Sequence, residues 1–91
     1  MANVSIDVQA TPNPNALKFV LDRPSTGGAP RSFRSPEEAA DDPMGRSLLA
    51  VAGVESIFMT ANFISVTKSV DAQWEHLVPE VTRAIEAGFT G

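Results

Sequence analysis

One stretch of the sequence decides how the fold begins: Val4-Ser5-Ile6-Asp7-Val8-Gln9-Ala10-Thr11-Pro12-Asn13-Pro14-Asn15-Ala16-Leu17-Lys18-Phe19-Val20-Leu21. Its first part, residues 4–8, alternates apolar and polar side chains, and this period of two predicts a strand with one buried face. Residues 17–21 resume the apolar alternation, with Leu17, Phe19 and Leu21 in phase. Two strands separated by a short turn favour an antiparallel hairpin.

The connection between these strands, Thr11-Pro12-Asn13-Pro14-Asn15, is the most distinctive segment of the chain. Its two prolines fix φ and remove backbone donors, while its asparagines tolerate turn geometry, so we predict a rigid turn. Two hypotheses follow for this 11–15 turn. It is either a stiff protrusion whose amide groups face a partner at little entropic cost, or a connection that holds the hairpin in register.

The middle of the chain is predicted to form a loop and two short helices. Residues 22–34 are rich in glycine, proline and serine, which favours a loop. Phe33 either anchors the far end of this loop or begins a short edge strand. Ser35-Pro36-Glu37-Glu38 has the pattern of a capping box and predicts one helix. Asp41-Asp42-Pro43 ends it, and Asp42 caps a second helix that ends at Gly53. The residues of this second helix predicted to face inward are Met44, Leu48, Leu49, Val51 and Ala52.

The last third of the chain predicts a second hairpin and a closing helix. Residues 54–60 and 63–68 are rich in strand formers and are separated by Ala61-Asn62. Asp71 is a candidate N-cap for a helix that ends at Gly88. Its apolar stripe consists of Trp74, Leu77, Val78, Val81 and Ile85. We therefore predict one α+β domain over residues 1–91, a two-layer sandwich in which a mostly antiparallel sheet of about four strands (β-β-α-β-β-α) carries its helices on one face.

Composition excludes several classes of function. The 91 residues include no cysteine, so the sequence offers neither a disulfide nor thiolate ligands for a metal or an iron–sulfur cluster, and we expect no resident cofactor. Eleven acidic and seven basic side chains give a net charge of -4, which disfavours nucleic acid as a partner. No apolar run is long enough to span a bilayer, and residues 1–10 do not resemble a signal peptide. We expect a monomer in the cytoplasm with no membrane partner.

Few side chains suit catalysis, and the chain is predicted not to be an enzyme. His76 is the only histidine; beside Glu75 and Glu80 it either binds a metal or small molecule in a regulatory domain or is a plain surface residue. Four carboxylates in residues 37–42 either bind a hard cation or, as we favour, cap the helix starts.

For three arginines and one tryptophan, the sequence allows both a binding role and a purely structural or solvent-exposed position. Arg31, Arg34 and Arg46 either gather into an anion-binding or partner-binding patch or lie scattered in solvent. Trp74 is either a recognition residue or part of the core.

Several blocks of the sequence resemble the N-terminal domain of Nfu/NifU-like proteins, a family of iron–sulfur cluster biogenesis. The first block is Thr11-Pro12-Asn13-Pro14-Asn15-Ala16-Leu17-Lys18-Phe19, and the second is Pro43-Met44-Gly45-Arg46-Ser47-Leu48-Leu49 followed by Ala52-Gly53-Val54. Asn62-Phe63-Ile64-Ser65-Val66-Thr67-Lys68 resembles the fourth strand of that domain. Trp74, Leu77, Pro79 and Ile85 fit the spacing of its closing helix.

The resemblance implies an accessory role in iron–sulfur cluster assembly or delivery. Family members commonly carry a C-terminal domain whose Cys-x-x-Cys pair holds the cluster, and this sequence has no such pair. The expected partners are therefore iron–sulfur assembly or client proteins, including a separate Cys-x-x-Cys scaffold. The expected contact residues are Thr11, Pro12, Asn13, Pro14, Asn15, Lys18 and Arg46.

Overall fold

Five strands and two helices make up the computed structural model, which describes residues 4–25 and 29–90. The elements in chain order are β1 (Ile6–Ala10), β2 (Ala16–Leu21), β3 (Arg31–Phe33), α1 (Pro43–Leu49), β4 (Val54–Thr60), β5 (Phe63–Lys68) and α2 (Trp74–Thr90). Part of the predicted 22–34 loop, residues 26–28, lies outside the described residues. Neither helix in the described ranges has the length and apolar character that a bilayer crossing requires.

The strands form one antiparallel sheet in the order β1-β2-β5-β4-β3. Both predicted hairpins are present, β1 with β2 and β4 with β5, and the two hairpins join through β2 and β5. The α+β prediction is confirmed with one strand more than expected. The additional strand is β3, where Phe33 pairs with Ile57 at the sheet edge and also packs against the core.

The core lies between the helices and one face of the sheet. Phe19 is opposite Ile64, and Ile64 is opposite Met59, so one row of apolar side chains crosses the three central strands. Directly opposed residues share a face of the sheet, and both helices contribute to the core on this face. The largest fully buried side chains are Phe19, Leu48, Met59, Ile64, Ile85, Val66 and Val81.

The predicted helix at Ser35 is instead a series of turns over residues 36–41. Only one of the two bonds of a capping box forms: the Glu38 N–H donates to Ser35 Oγ at 3.2 Å, but Glu38 Oε1 accepts from the Arg34 N–H at 2.6 Å and not from the Ser35 N–H. In addition, Pro43 begins α1 only a few residues later. Starting a helix costs free energy that is recovered gradually, because each further residue adds only one hydrogen bond. The segment before Pro43 is too short to recover that cost.

The predicted bounds of the second helix are corrected at its C-terminus. Asp42 caps α1 as expected, since its Oδ1 accepts from the Gly45 N–H at 3.0 Å. The helix ends at Leu49 with Ala50 as its C-cap, so Ala52, predicted to face inward, is exposed. Gly53 does not cap α1; it has φ of +98° and lies directly before β4.

Gly53→Ala is expected to lower the free energy of unfolding by about 1–2 kcal/mol. A side chain would be strained at this positive φ, and its Cβ would lie 3.0 Å from the Cβ of Ala72. Urea denaturation measures the change, with Ala52→Ser at the neighbouring exposed position as the control. Equal midpoints for the two variants would contradict the account of Gly53.

The closing helix also differs from the prediction at both ends. It begins at Trp74, three residues after the expected N-cap Asp71, and the Gln73 carbonyl accepts from the His76 and Leu77 N–H groups. It continues through Gly88 to Thr90. Gly88 is therefore not a stop signal; it lies inside α2, where an added Cβ would meet only the flexible end of the Met44 side chain.

Candidate functional site

The 11–15 turn is held by hydrogen bonds among its own residues. The Asn13 N–H donates to Thr11 Oγ1 at 3.1 Å, and the Thr11 hydroxyl lies 2.9 Å from the Asn13 carbonyl and 3.0 Å from that of Ala16. The Asn15 N–H donates to Asn13 Oδ1 at 2.9 Å. The rigid turn predicted from the prolines is therefore reinforced by the threonine and asparagine side chains.

Two residues from distant parts of the chain attach this turn to the rest of the fold. Lys68 Nζ donates to Asn15 Oδ1 at 3.1 Å and to the Ser69 carbonyl at 3.3 Å. Trp74 Nε1 donates to the Pro14 carbonyl at 3.0 Å. Lys68 is 9% exposed, and its Nζ lies 5.9 Å from the centre of the Trp74 ring. Lys68 and Trp74 thus fix the turn between the end of β5 and the start of α2.

These contacts bear on the two hypotheses for the 11–15 turn. The oxygen atoms of both asparagine side chains accept hydrogen bonds within the protein, as a register-holding connection requires. Pro12, Asn13 and Pro14 are exposed. Within residues 4–25 and 29–90, no hydrogen bond engages the Nδ2 group of Asn13. The turn is therefore both a structural connection and a rigid exposed surface with an amide donor.

The other two predicted contact residues lie on different sides of the molecule. Lys18 pairs with Ser65 in the register, and so it projects from the sheet face opposite the helices. Its Nζ lies 4.3 Å from the centre of the Phe63 ring. Arg46 belongs to α1 on the helical side, where its Nη1 donates to the Ala40 carbonyl at 3.3 Å. The structure does not bring Lys18 and Arg46 together.

The three arginines considered as a patch have separate environments. Arg31 Nη1 lies 3.2 Å from Asp42 Oδ2, while Arg46 contacts the Ala40 carbonyl. Arg34 is exposed, and only its backbone N–H bonds to Glu38. Asp42 caps α1, which agrees with the capping interpretation of the acidic cluster, whereas Glu38 accepts the Arg34 N–H at a turn where the expected helix does not form.

His76 is an exposed residue of α2. It borders a shallow depression together with Val51, Ala52, Leu77 and Glu80. Among the residues that the structure describes, no three histidine, cysteine, aspartate or glutamate side chains are grouped as a metal site requires. The regulatory metal or ligand hypothesis therefore depends on a single imidazole with carboxylates nearby.

Sequence reasoning missed Lys68 as part of the site and left Trp74 undecided between core and recognition. Trp74 is half-buried, packs against the core and holds the turn through its indole N–H. A signal for Lys68 was present in β5: it lies in phase with Ile64 and Val66, both fully buried. A lysine in phase with core residues indicates a buried ammonium group, which requires hydrogen-bond acceptors.

Comparison with known families places the whole fold in one group. The family model "Scaffold protein Nfu/NifU N terminal" matches residues 6–91. The human protein "NFU1 iron-sulfur cluster scaffold homolog, mitochondrial" is 37% identical over 88% of this chain. "NifU-like protein 4, mitochondrial" from Arabidopsis thaliana is 34% identical over 88% of this chain. The chain spans only 28% of the plant protein and 32% of the human one.

Solved structures share this fold. The crystal structure of protein SAV1430 from Staphylococcus aureus has a TM-score of 0.77 and 33% identity, and the match covers 89% of this chain and 98% of that one. A NifU-like protein from Saccharomyces cerevisiae has a TM-score of 0.76 over 92% of this chain and 76% of that one, and at 23% identity it supports the fold alone. From the match over residues 6–91 and the human and plant relatives, we conclude that the chain belongs to the Nfu/NifU N-terminal scaffold protein family.

Proposed function

We propose that this chain acts in iron–sulfur cluster assembly or delivery as a non-catalytic module that binds other proteins. Family membership carries the proposal, since the names of relatives describe iron–sulfur cluster scaffolds. The chain has no cysteine, so its own thiolates cannot hold the cluster, and the cluster is cargo carried by a partner. The partners we propose are iron–sulfur assembly or client proteins, including a separate scaffold with a Cys-x-x-Cys pair.

The proposed contact surface is the 11–15 turn together with Lys18, with Arg46 as a second contact on the helical side. Fixing a flexible segment on binding loses conformational entropy, and this turn is already fixed by its own bonds and by Trp74. Pro12, Asn13 and Pro14 supply exposed surface at the turn. The Asn13 amide and the Lys18 ammonium group supply donors suited to carbonyl or carboxylate oxygens of a partner.

Affinity capture from native lysate tests the proposed contacts. The wild-type chain should recover iron–sulfur assembly or client proteins, and Asn13→Asp should reduce that recovery by roughly fivefold, as expected for the loss of about 1 kcal/mol. Aspartate keeps an oxygen that accepts the Asn15 N–H, replaces the outward amide donor by a second carboxylate oxygen, and adds a negative charge. Lys18→Ala and Arg46→Ala test the other two contacts separately.

The matched control for the capture is Arg83→Ala, because Arg83 is exposed on α2 and lies outside the proposed surface. Circular dichroism verifies that each variant remains folded. The contact assignment is wrong if folded Asn13→Asp and Lys18→Ala both recover as much as the control. The functional proposal is wrong if the folded wild-type chain recovers no iron–sulfur protein.

Anaerobic reconstitution provides an independent test of the cargo role. We expect the purified chain, supplied with iron and sulfide, to retain much less than one equivalent of either after desalting, because it has no thiolate ligands. Iron and acid-labile sulfide assays measure this, with a Cys-x-x-Cys scaffold protein as the positive control. A stoichiometric cluster on the isolated chain would refute the proposal that the cluster is held by a partner.

We also propose that the module is a monomer that acts in the cytoplasm without nucleic acid or membrane partners. The net charge of -4 opposes binding to phosphate backbones and close approach of two copies.

The names of the human and Arabidopsis relatives place those proteins in mitochondria. Cell fractionation and sedimentation at the monomer mass of 9.7 kDa test these two proposals.

A further inference from the structure

The outer edge of β1 has no strand beside it in the described ranges, since β1 ends the sheet order β1-β2-β5-β4-β3. It spans five residues without proline or lysine, and its register with β2 is regular from Ile6 to Ala10. The other edge strand, β3, has three residues and directly follows Pro30. Short length and proline are common protections of edge strands; β3 has both, and β1 has neither.

The hydrogen-bond pattern determines which groups of β1 face outward. The Asp22 N–H donates to the Ser5 carbonyl at 3.2 Å, which makes these two residues a hydrogen-bonded pair. Hydrogen-bonded and non-bonded pairs alternate along an antiparallel ladder, so Asp7 and Gln9 also turn their backbone groups toward β2. The N–H and C=O groups of the residues between them, Ile6, Val8 and Ala10, therefore face away from the sheet.

The side chains of β1 define two different surfaces along this edge. Val8 lies opposite the fully buried Phe19 on the helix-covered face, yet it is 38% exposed because the core does not extend over it. An apolar side chain of an added strand would cover Val8. Asp7 projects from the other face, where its carboxylate accepts from Gln9 Nε2 at 2.8 Å and, in the described part of the chain, has no cation within ion-pair distance.

The nearby carboxylate of Asp22 differs from that of Asp7. Arg23 Nε lies 2.9 Å from Asp22 Oδ1, and this hydrogen bond lowers the pKa of Asp22 below its ordinary value. The charge of Asp22 is therefore compensated within the protein. Asp7 remains the carboxylate that a cationic side chain on an added strand would meet.

We infer that the β1 edge binds an extended segment of a partner protein in which apolar residues alternate with lysine or arginine. The backbone of that segment would bond to Ile6, Val8 and Ala10 as a sixth strand, its apolar side chains would cover Val8, and a cation would pair with Asp7. A second copy of this chain is the less favourable occupant, since each copy carries a net charge of -4. The inference does not depend on the proposed function, which uses the 11–15 turn.

Amide hydrogen exchange of the whole, isotope-labelled chain tests the inference. The probe is a capped heptapeptide in which lysine and valine alternate, and the control peptide has the same composition with its valines contiguous. With the probe at about ten times its dissociation constant, exchange of the Ile6, Val8 and Ala10 amides should slow roughly tenfold. The Asp7 and Gln9 amides, already bonded to β2, should change much less.

Two variants separate the backbone and charge contributions. Val8→Pro removes an outward N–H without breaking a bond to β2 and should abolish the protection, while Val8→Thr, which keeps that N–H, should retain it. Asp7→Lys should weaken binding of the lysine peptide by roughly fivefold and strengthen binding of a glutamate–valine peptide. This charge exchange remains decisive if Val8→Pro does not fold.

Three results would overturn the inference. The first is unchanged exchange at Ile6, Val8 and Ala10 with the peptide at millimolar concentration. The second is equal protection by the control peptide with contiguous valines, since the alternation would then be irrelevant. The third is protection of the same three amides that grows with protein concentration in the absence of peptide, which would identify a second copy as the occupant.

Discussion

Replacing Phe19 by alanine is expected to lower the free energy of unfolding by about 3–5 kcal/mol. Phe19 is fully buried, and in the central row of the sheet it lies opposite Ile64 on one side and Val8 on the other. Alanine would leave a cavity that neither strand can close without losing register. A domain of this size has a total stability of about 5–10 kcal/mol, so this one substitution should remove a large fraction of it.

Urea denaturation followed by far-ultraviolet circular dichroism measures the Phe19→Ala effect. The control is Val20→Ala, the next residue of β2, whose half-buried side chain projects from the face without helices. Its loss should amount to less than about 1 kcal/mol, because the site stays open to water and no closed cavity forms. Equal losses for the two variants would mean that the core is not confined to the helix-covered face.

The hairpins were predictable because their signal is local. The alternation of apolar and polar side chains in residues 4–8 and 17–21 identifies each strand. The 11–15 connection is short, and two strands joined by a short connection pair antiparallel. The same reasoning recovered β4 and β5. The third strand was only an alternative, because Phe33 is the one large apolar residue of its segment and its partner Ile57 is distant in the chain.

The helix ends were less predictable because capping residues also serve turns. Ser35 Oγ accepts the Glu38 N–H as a helix cap would, although no helix follows. Glycine is common just after a helix, but Gly53 has a positive φ directly before β4, and Gly88 lies inside α2 beside the end of the Met44 side chain. The short distance to Pro43 accounts for the absent helix at Ser35, and neither glycine marks a helix end by its identity alone.

The candidate site was only partly predictable for the same reason. The 11–15 motif identified a rigid turn and carried the family resemblance, which the match over residues 6–91 confirmed. The contacts that fix the turn come from Lys68 and Trp74, which lie 53 and 60 positions from their partners in the chain. No spacing rule relates residues so far apart: the pairing of β2 with β5 places Lys68 beside Asn15, and the start of α2 places Trp74 beside Pro14.

Lys68→Met is expected to lower the free energy of unfolding by about 1.5–3 kcal/mol and to loosen the 11–15 turn. Methionine keeps most of the apolar stem, so the loss reports the ammonium group, whose two acceptors are Asn15 Oδ1 and the Ser69 carbonyl. Both acceptors belong to half-buried residues that water reaches only in part. Exchange of the Asn15 and Ala16 amides should accelerate, and urea denaturation gives the change in stability.

A double-mutant cycle with Trp74→Phe determines whether the two anchors act together on the turn. Phenylalanine removes the N–H that donates to the Pro14 carbonyl but keeps an aromatic ring beside Lys68. Because both anchors restrain adjacent residues of one rigid turn, losing the first should weaken the second, so the combined loss should fall short of the sum by more than about 0.5 kcal/mol. Strict additivity would show that Pro14 and Asn15 are held independently, and the turn would then lack the concerted rigidity on which its proposed role in partner binding depends.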